Sequence, residues 1–483
     1  MIASVFLMAA RSYYAFSFDE PLQGFTRGAE YETLYSIWKY VFDGTVYVDQ
    51  TRIPYDGTFY NWLFYAAYGE ITGLVLKALG LSDPWLPTIT RLITLSALAV
   101  GSFITYRSFN DTLEIKDPTF KALSGAFAVF IFFGPLIGFF GISATPDIWP
   151  MVFTVAAIWL FIRQYDSAPI KAILWVCVFS YLSWGFKQNF IYIPATVGLY
   201  LLIHRQWRDA ALLTVIMCSA GLITLAIGGG IYSKMLYFGG THLYFTFDLL
   251  VRNIANFMVK ALPILAVGAA GGLYFSATRR VVLEKLTQRP VLVVPFLGGV
   301  VTGIETLATS GLQASSENHF FVFSYFLTFA ALAIIVWAGR REMVSGAFAG
   351  ILALGWVGNL AATGSVLLGF KGVVSVRPYH ESLVAAKPCL KYLREPFFIA
   401  NPYLALPWIT PSKQPFVMHL NYPFDRAAGI KMEGGGVGGL IDQGYFATLA
   451  LDKGRNGHFD GSNLKRYRSR PEVCAGLIIY DRD

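Results

Sequence analysis

Charge is scarce in this chain. Asp, Glu, Lys and Arg make up only 14% of its 483 residues, against 55% hydrophobic and 16% aromatic. That balance excludes an ordinary soluble globular protein and points to a polytopic membrane protein. The net charge of +8 does not gather on one soluble face. The basic residues sit in short clusters between apolar runs, which argues against a nucleic-acid surface and for topology signals. Cysteine is rare as well: Cys177, Cys218, Cys389 and Cys474 show no ligand-like spacing, so neither a zinc site nor a redox motif is indicated. The first two lie in apolar segments as packing residues. The opening run MIASVFLMAARSYYAFSF has no convincing small-residue cleavage site, and many more apolar segments follow, so it reads as a first membrane helix rather than a signal peptide. Its shortness and Arg11 imply either a start upstream of Met1 or an arginine that faces protein. Internal repeats and midplane charges, which a secondary transporter would show, are not apparent.

What the chain does have is a succession of apolar segments long enough to span a bilayer. They lie near 86–106, 121–142, 148–163, 171–186, 190–204, 211–233, 259–277, 290–309, 318–338 and 344–366. Five basic clusters fall between consecutive spans: Arg107/Lys116/Lys121, Arg163/Lys171, Arg205/Arg208, Arg279/Arg280/Lys285/Arg289 and Arg340/Arg341. All five should face the cytoplasm. One further eligible segment, 57–80, decides the topology, because counting it as a full span would put every cluster outside. It carries Tyr60, Trp62, Tyr65, Tyr68 and Glu70, the mix of a helix lying at headgroup level. The prediction is therefore eleven spans, the amino terminus cytoplasmic and the tail outside. The GGG at 228–230 sits toward the outer end of its span, where it can break a helix.

From about 367 to 483 the chain gains Pro, Gly and charge and loses spanning runs. PFFIA, FATLAL and AGLIIY, bounded by turn residues, predict strands of a small mixed α/β exported domain. GGGVGG at 434–439 predicts a mobile loop; no strand-to-helix context supports it as a phosphate loop. Cys389 and Cys474 both fall in this region, where an oxidising compartment would let them pair. The expected fold is mainly α: a helical membrane module over 1–366, with a first outer loop at 17–85 containing interfacial helices, followed by the exported domain.

With topology set by the basic residues, the polar groups gather on the other side of the membrane. Asp19 and Glu20 open the first outer loop, and Arg27, Glu30, Arg52, Asp56 and Glu70 follow. SATPDIWP holds Asp147, the next short turn is little more than Lys187-Gln188-Asn189, and SSENHF holds Glu317, Asn318 and His319. Glu305 lies within a span near the same side, where an ionisable residue is a functional suspect. Any one of these would pass as a solvated group at a helix end. Their shared face is what a site at the outer interface needs.

In order along the chain, FDEPLQGF, PYDGTFYNWLFYAAYG, SATPDIW, GFKQNFIYIPATVGLYLL and SSENHFFVFSYFL resemble the GT-C glycosyltransferases, integral membrane enzymes that take a sugar from a polyprenyl-phosphate carrier. The order is similar to the bacterial branch related to protein mannosyltransferases and lipid A sugar transferases. A common form of the third motif has Arg before Pro-Asp where this chain has Thr145, which leaves any role for that arginine unfilled.

The resemblance implies an inverting transferase in a bacterial inner membrane. Its donor is a polyprenyl-phosphate-linked sugar, and its acceptor an envelope glycan, lipid or protein. Asp19, with Glu20 beside it, takes the place of the family's catalytic base or acceptor-binding group, since transfer to a hydroxyl must remove a proton. Lys187 and Gln188 are the first candidates to meet the leaving phosphate. Asn318 and His319, at a helix start that Ser315 or Ser316 can cap, would help hold donor phosphate or sugar. Asp147 and Asp56 would orient the acceptor or the first loop, or Asp147 would bind a divalent ion with Asp19; the other reading of Asp147 is an aspartate that stabilises the start of its own helix. No metal is otherwise indicated. The outer aromatics read first as interface anchors. A noncatalytic scaffold subunit is the rival reading.

Overall fold

The computed structural model describes residues 2–17, 21–22, 29–241, 243–313, 315–338, 346–368, 376–452, 464–470 and 476–483. In chain order its helices are α1 (Ile2–Ala15), α2 (Ala29–Trp38), α3 (Trp62–Leu79), α4 (Leu86–Thr112), α5 (Pro118–Phe133), α6 (Ile148–Gln164), α7 (Pro169–Phe186), α8 (Tyr192–Ile203), α9 (Trp207–Thr241), α10 (Phe247–Lys260), α11 (Leu262–Gln288), α12 (Val294–Thr309), α13 (Phe320–Ala338), α14 (Gly346–Leu368) and α15 (Val376–Leu390). Each predicted span coincides with one of them. Among the described residues, five helices are long and apolar enough to cross a membrane on their own: α4, α7, α9, α12 and α13. The segment read as interfacial, α3, is not one of them. Asn61 caps its start by accepting from Trp62 N, and it stops at Gly80, whose φ of 62° suits the left-handed C-terminal position.

The boundaries differ from expectation where local chemistry overrides the apolar run. The span predicted over 121–142 ends at Phe133, because Pro135 lacks an N–H and pushes Gly134 out of the helical region. The span predicted over 259–277 begins at Leu262, where α10 and α11 meet at an 83° bend. Inside α9, Gly229 has φ 73°, so the glycine triplet does break the helix. In the bundle, α6 packs against α4 and α7, and α13 against α11 and α12. Phe109 of α4 stacks on Tyr325 of α13 with ring centroids 5.8 Å apart, joining the two groups.

The three stretches predicted as strands form β1 (Phe397–Ile399), β2 (Thr448–Asp452) and, with β3 (Tyr467–Ser469) between the last two in sequence, β4 (Leu477–Arg482). The sheet order is β1-β2-β4-β3, with β1 parallel to β2 and the other pairs antiparallel. The glycine-rich stretch predicted as a mobile loop is instead a tight turn leading into a short helix, Gly436–Asp442, whose Val437 is fully buried and donates its N–H to the Tyr422 hydroxyl at 2.8 Å. Cys389 is disulfide-bonded, Cys177 and Cys218 are free, and Cys474, the expected partner of Cys389, lies outside the described residues.

The tail does not pack apart from the rest. Tyr31 and Leu34 of α2 share a buried cluster with Leu383, Leu404 and Trp408, and the Tyr31 hydroxyl donates to Met418 O at 3.0 Å. The helix α2 is therefore enclosed on nearly all sides.

Candidate active site

The site begins with the segment that follows the early end of α5. From Leu136 to Ala144 the chain is irregular yet buried, so its backbone polar groups need partners. Helices α2 and α4 supply them. Ala144 N donates to Glu30 Oε1 at 3.1 Å, Thr33 Oγ1 donates to Ala144 O, and Thr94 Oγ1 donates to Ser143 O at 2.8 Å. Glu30 is itself held by Arg91, whose Nε and Nη2 lie 3.0 and 3.1 Å from its two oxygens, and both side chains are fully buried.

This frame fixes Asp147 at the start of α6. The carboxylate is 2% exposed and stands at the start of α6, where the helix dipole favours it, but makes no side-chain cap bond to that helix. Instead Oδ1 accepts from Lys187 Nζ at 2.7 Å and from Asn318 Nδ2 at 2.8 Å. Lys187 stands where α7 gives way to extended backbone. Asn318 lies in the single turn Glu317–His319 before α13, with its Oδ1 accepting from Ser316 Oγ at 2.9 Å. Three predicted residues from three separate loops thus meet at one oxygen.

A cavity of about 300 Å³ opens beside them, lined among others by Lys187, Gln188, Asn189, Asn318, His319, Tyr60 and Glu32. Gln188 donates through Nε2 to Phe59 O at 2.6 Å, while its buried Oε1 has no partner among the described residues. His319 shares a hydrogen bond between Nδ1 and Thr309 Oγ1 at 2.8 Å, with Glu305 Oε1 3.9 Å from the same nitrogen. The Lys187 ammonium sits 5.8 Å from the centre of the Tyr60 ring. The combination offers a fixed cation and several amide or imidazole groups to an oxyanion.

Two predicted groups fall elsewhere. Asp56 pairs with Lys39 at 2.6 Å, both buried, and does not line the cavity; it ties the turn after α2 to the approach to α3. Asp19 and Glu20 lie outside the described residues. Among the described residues no group of three or more His, Cys, Asp and Glu side chains could hold a metal ion.

Sequence reasoning missed Glu32 and the Leu420–Asn421 turn, which also line the cavity. Glu32 is 7% exposed, accepts from Leu420 N at 3.3 Å through Oε2, and leaves Oε1 buried without a partner among the described residues. Burial raises its carboxyl from the ordinary 4.5 to about 8. The available signal was GAEYETL at a helix start: residues two apart point to different sides of a helix, so Glu30 and Glu32 could not share a partner.

A helical bundle with a long, helix-bearing first loop and a small sheet in the tail has a counterpart among solved structures. One solved structure with a similar fold is that of ArnT from Cupriavidus metallidurans bound to undecaprenyl phosphate. The match has a TM-score of 0.50, covers 99% of this chain and 97% of ArnT, and has 11% sequence identity, so the likeness is one of fold. No protein-family profile and no curated protein matches the chain.

Proposed function

We propose that the chain is an inverting membrane glycosyltransferase. It moves one sugar from a polyprenyl-phosphate donor to a hydroxyl of an envelope glycan, lipid or protein at the outer face of a bacterial inner membrane. In this reading the chain has eleven spans, a cytoplasmic amino terminus and a periplasmic tail, and the cavity opens on that face. The observation that carries the reading is the convergence of Lys187 and Asn318 on one oxygen of buried Asp147 at the cavity wall. A departing phosphate carries its own negative charge, so it needs no acid but gains from positioned cationic and amide donors. Lys187, Gln188, Asn318 and His319 supply them, and Asp147 holds two of the four in place. The acceptor hydroxyl must lose a proton; that role belongs to Asp19, with Glu20 beside it, and a positioned base contributes about 10² to 10⁴ in rate. ArnT's bound undecaprenyl phosphate supports the choice of a lipid-phosphate donor.

The test compares envelope glycans by mass spectrometry in a deletion strain carrying wild type, Asp19→Asn or Lys187→Ala at matched expression. Wild type should restore a missing hexose or pentose and the variants should not. Equal restoration by all three would sink the catalytic assignment and favour a scaffold subunit.

A further inference from the structure

The cavity wall carries two chemically different groups of residues. Lys187, Asn318 and His319 suit an anion. Glu32 of α2 instead meets the tail turn Leu420–Asn421. Only half of the Glu32 carboxyl is used within the protein: Oε2 takes the Leu420 N–H, while Oε1 is buried beside the cavity and has no partner among the described residues. Asn421 lines the same wall and makes no side-chain cap bond to the short helix Tyr422–Ala427 that follows it. A buried polar atom left unfilled is costly, so its presence on a residue that lines a cavity points to a ligand group that completes it.

We propose that Glu32 and the Leu420–Asn421 turn form the subsite for the sugar acceptor, which is a neutral, hydroxyl-bearing group. This rests on the transferase reading above. A hydroxyl both donates and accepts, and a carboxyl held neutral does the same, so the two are complementary. The same carboxyl would repel or fail to stabilise a phosphate, which keeps the donor's charged end beside Lys187. Burial, the principal cause, raises the Glu32 carboxyl to about 8, against the Leu420 N–H bond, which lowers it. The charged groups around it partly cancel: Lys39 favours ionisation, while Asp56 and Asp425 oppose it, and Tyr31, Tyr60 and Tyr65 face it as neutral rings. The tail thereby becomes a structural part of the acceptor site: it supplies one wall and holds Glu32 in place.

The experiment uses the full chain in lipid nanodiscs. Envelope lipid from wild-type cells is the donor source, the envelope fraction of the deletion strain is the acceptor source, and undecaprenyl phosphate is a donor-side competitor. Glu32→Ala should raise the half-saturating amount of acceptor fraction about tenfold while leaving half-inhibition by undecaprenyl phosphate within about twofold. Glu32→Gln, which keeps one donor and one acceptor group, should recover most of the loss. Asn421→Ala, on a separate element, should shift the acceptor value in the same direction and less, and reads the subsite even where Glu32→Ala folds poorly. Equal shifts in both values, or a shift confined to undecaprenyl phosphate, would overturn the subsite. Transfer by wild type with unaltered acceptor dependence in all three variants would overturn it too and leave the transferase reading standing. Absence of transfer by wild type would overturn both.

Discussion

Glu30→Gln should be among the most damaging single-atom changes in the molecule. It deletes the negative charge opposite Arg91 at a place where neither side chain is exposed. Breaking such a pair by removing one partner costs about 3–5 kcal/mol, because the remaining charge stays buried. The lower half of that range applies here, since Arg91 keeps its Nη1 bond to Ala15 O at 2.6 Å. The amide also has one oxygen where the carboxylate had two, so it cannot accept from Arg91, Ala144 N and Leu22 N together. Where the amide nitrogen takes the place of Oε1, the bond lost is that of Ala144 N, on the segment that carries Asp147. Unfolding by sodium dodecyl sulfate in mixed micelles, followed by tryptophan fluorescence, would measure the stability loss; Arg91→Met and the double variant complete the cycle. The double variant should be less destabilised than the sum of the singles by about 0.5–3 kcal/mol. Amide exchange over residues 143–147 should rise, and transfer should fall by about 10² if Asp147 moves by about 1 Å. A loss under about 1 kcal/mol for Glu30→Gln, or strict additivity with Arg91→Met, would refute the claim that this pair holds the site.

Two further outcomes follow from burial. A methyl group at Gly101 on α4 would run into the ring of Phe132, which is fully buried and cannot swing aside. Gly101→Ala should therefore destabilise by about 1–3 kcal/mol despite the better helix propensity of alanine, and adding Phe132→Leu should restore part of the loss in the same micelle assay. The raised Glu32 carboxyl predicts a pH dependence of stability. Below pH 4.5 folded and unfolded chains both hold its proton; between 4.5 and about 8 only the folded chain does, so stability falls as pH rises; above about 8 this slope disappears. Subtracting the Glu32→Gln profile from that of wild type isolates this slope, and a difference that is flat from pH 4.5 to 8 would contradict it.

The same physics separates what was legible in one dimension from what was not. An apolar run of some twenty residues has few soluble alternatives, so the helices and the polytopic fold follow from composition and length. Proline and glycine moved their ends: Pro135 cut one predicted span short and Gly229 broke another. The strands of the tail were readable from turn residues and short apolar runs. GGGVGG was misread because glycine content reports backbone freedom and not whether neighbours such as Tyr422 take that freedom away.

For the site, the sequence by itself determined which side chains are available on one face of the bundle: Asp147, Lys187, Gln188, Asn318 and His319 each occupy a short connection between apolar segments. Only the tertiary structure decided their pairing. It drew Lys187 and Asn318 onto Asp147 and took Asp56 away to Lys39. It also turned Glu30 toward Arg91 and Glu32 toward the cavity, and brought Asn421 to the same wall. The reason is range. Membrane partition acts on each segment separately and leaves its mark in local composition. A hydrogen bond demands atoms within about 3 Å, and residues hundreds of positions apart reach that distance only when the whole bundle and its tail have packed.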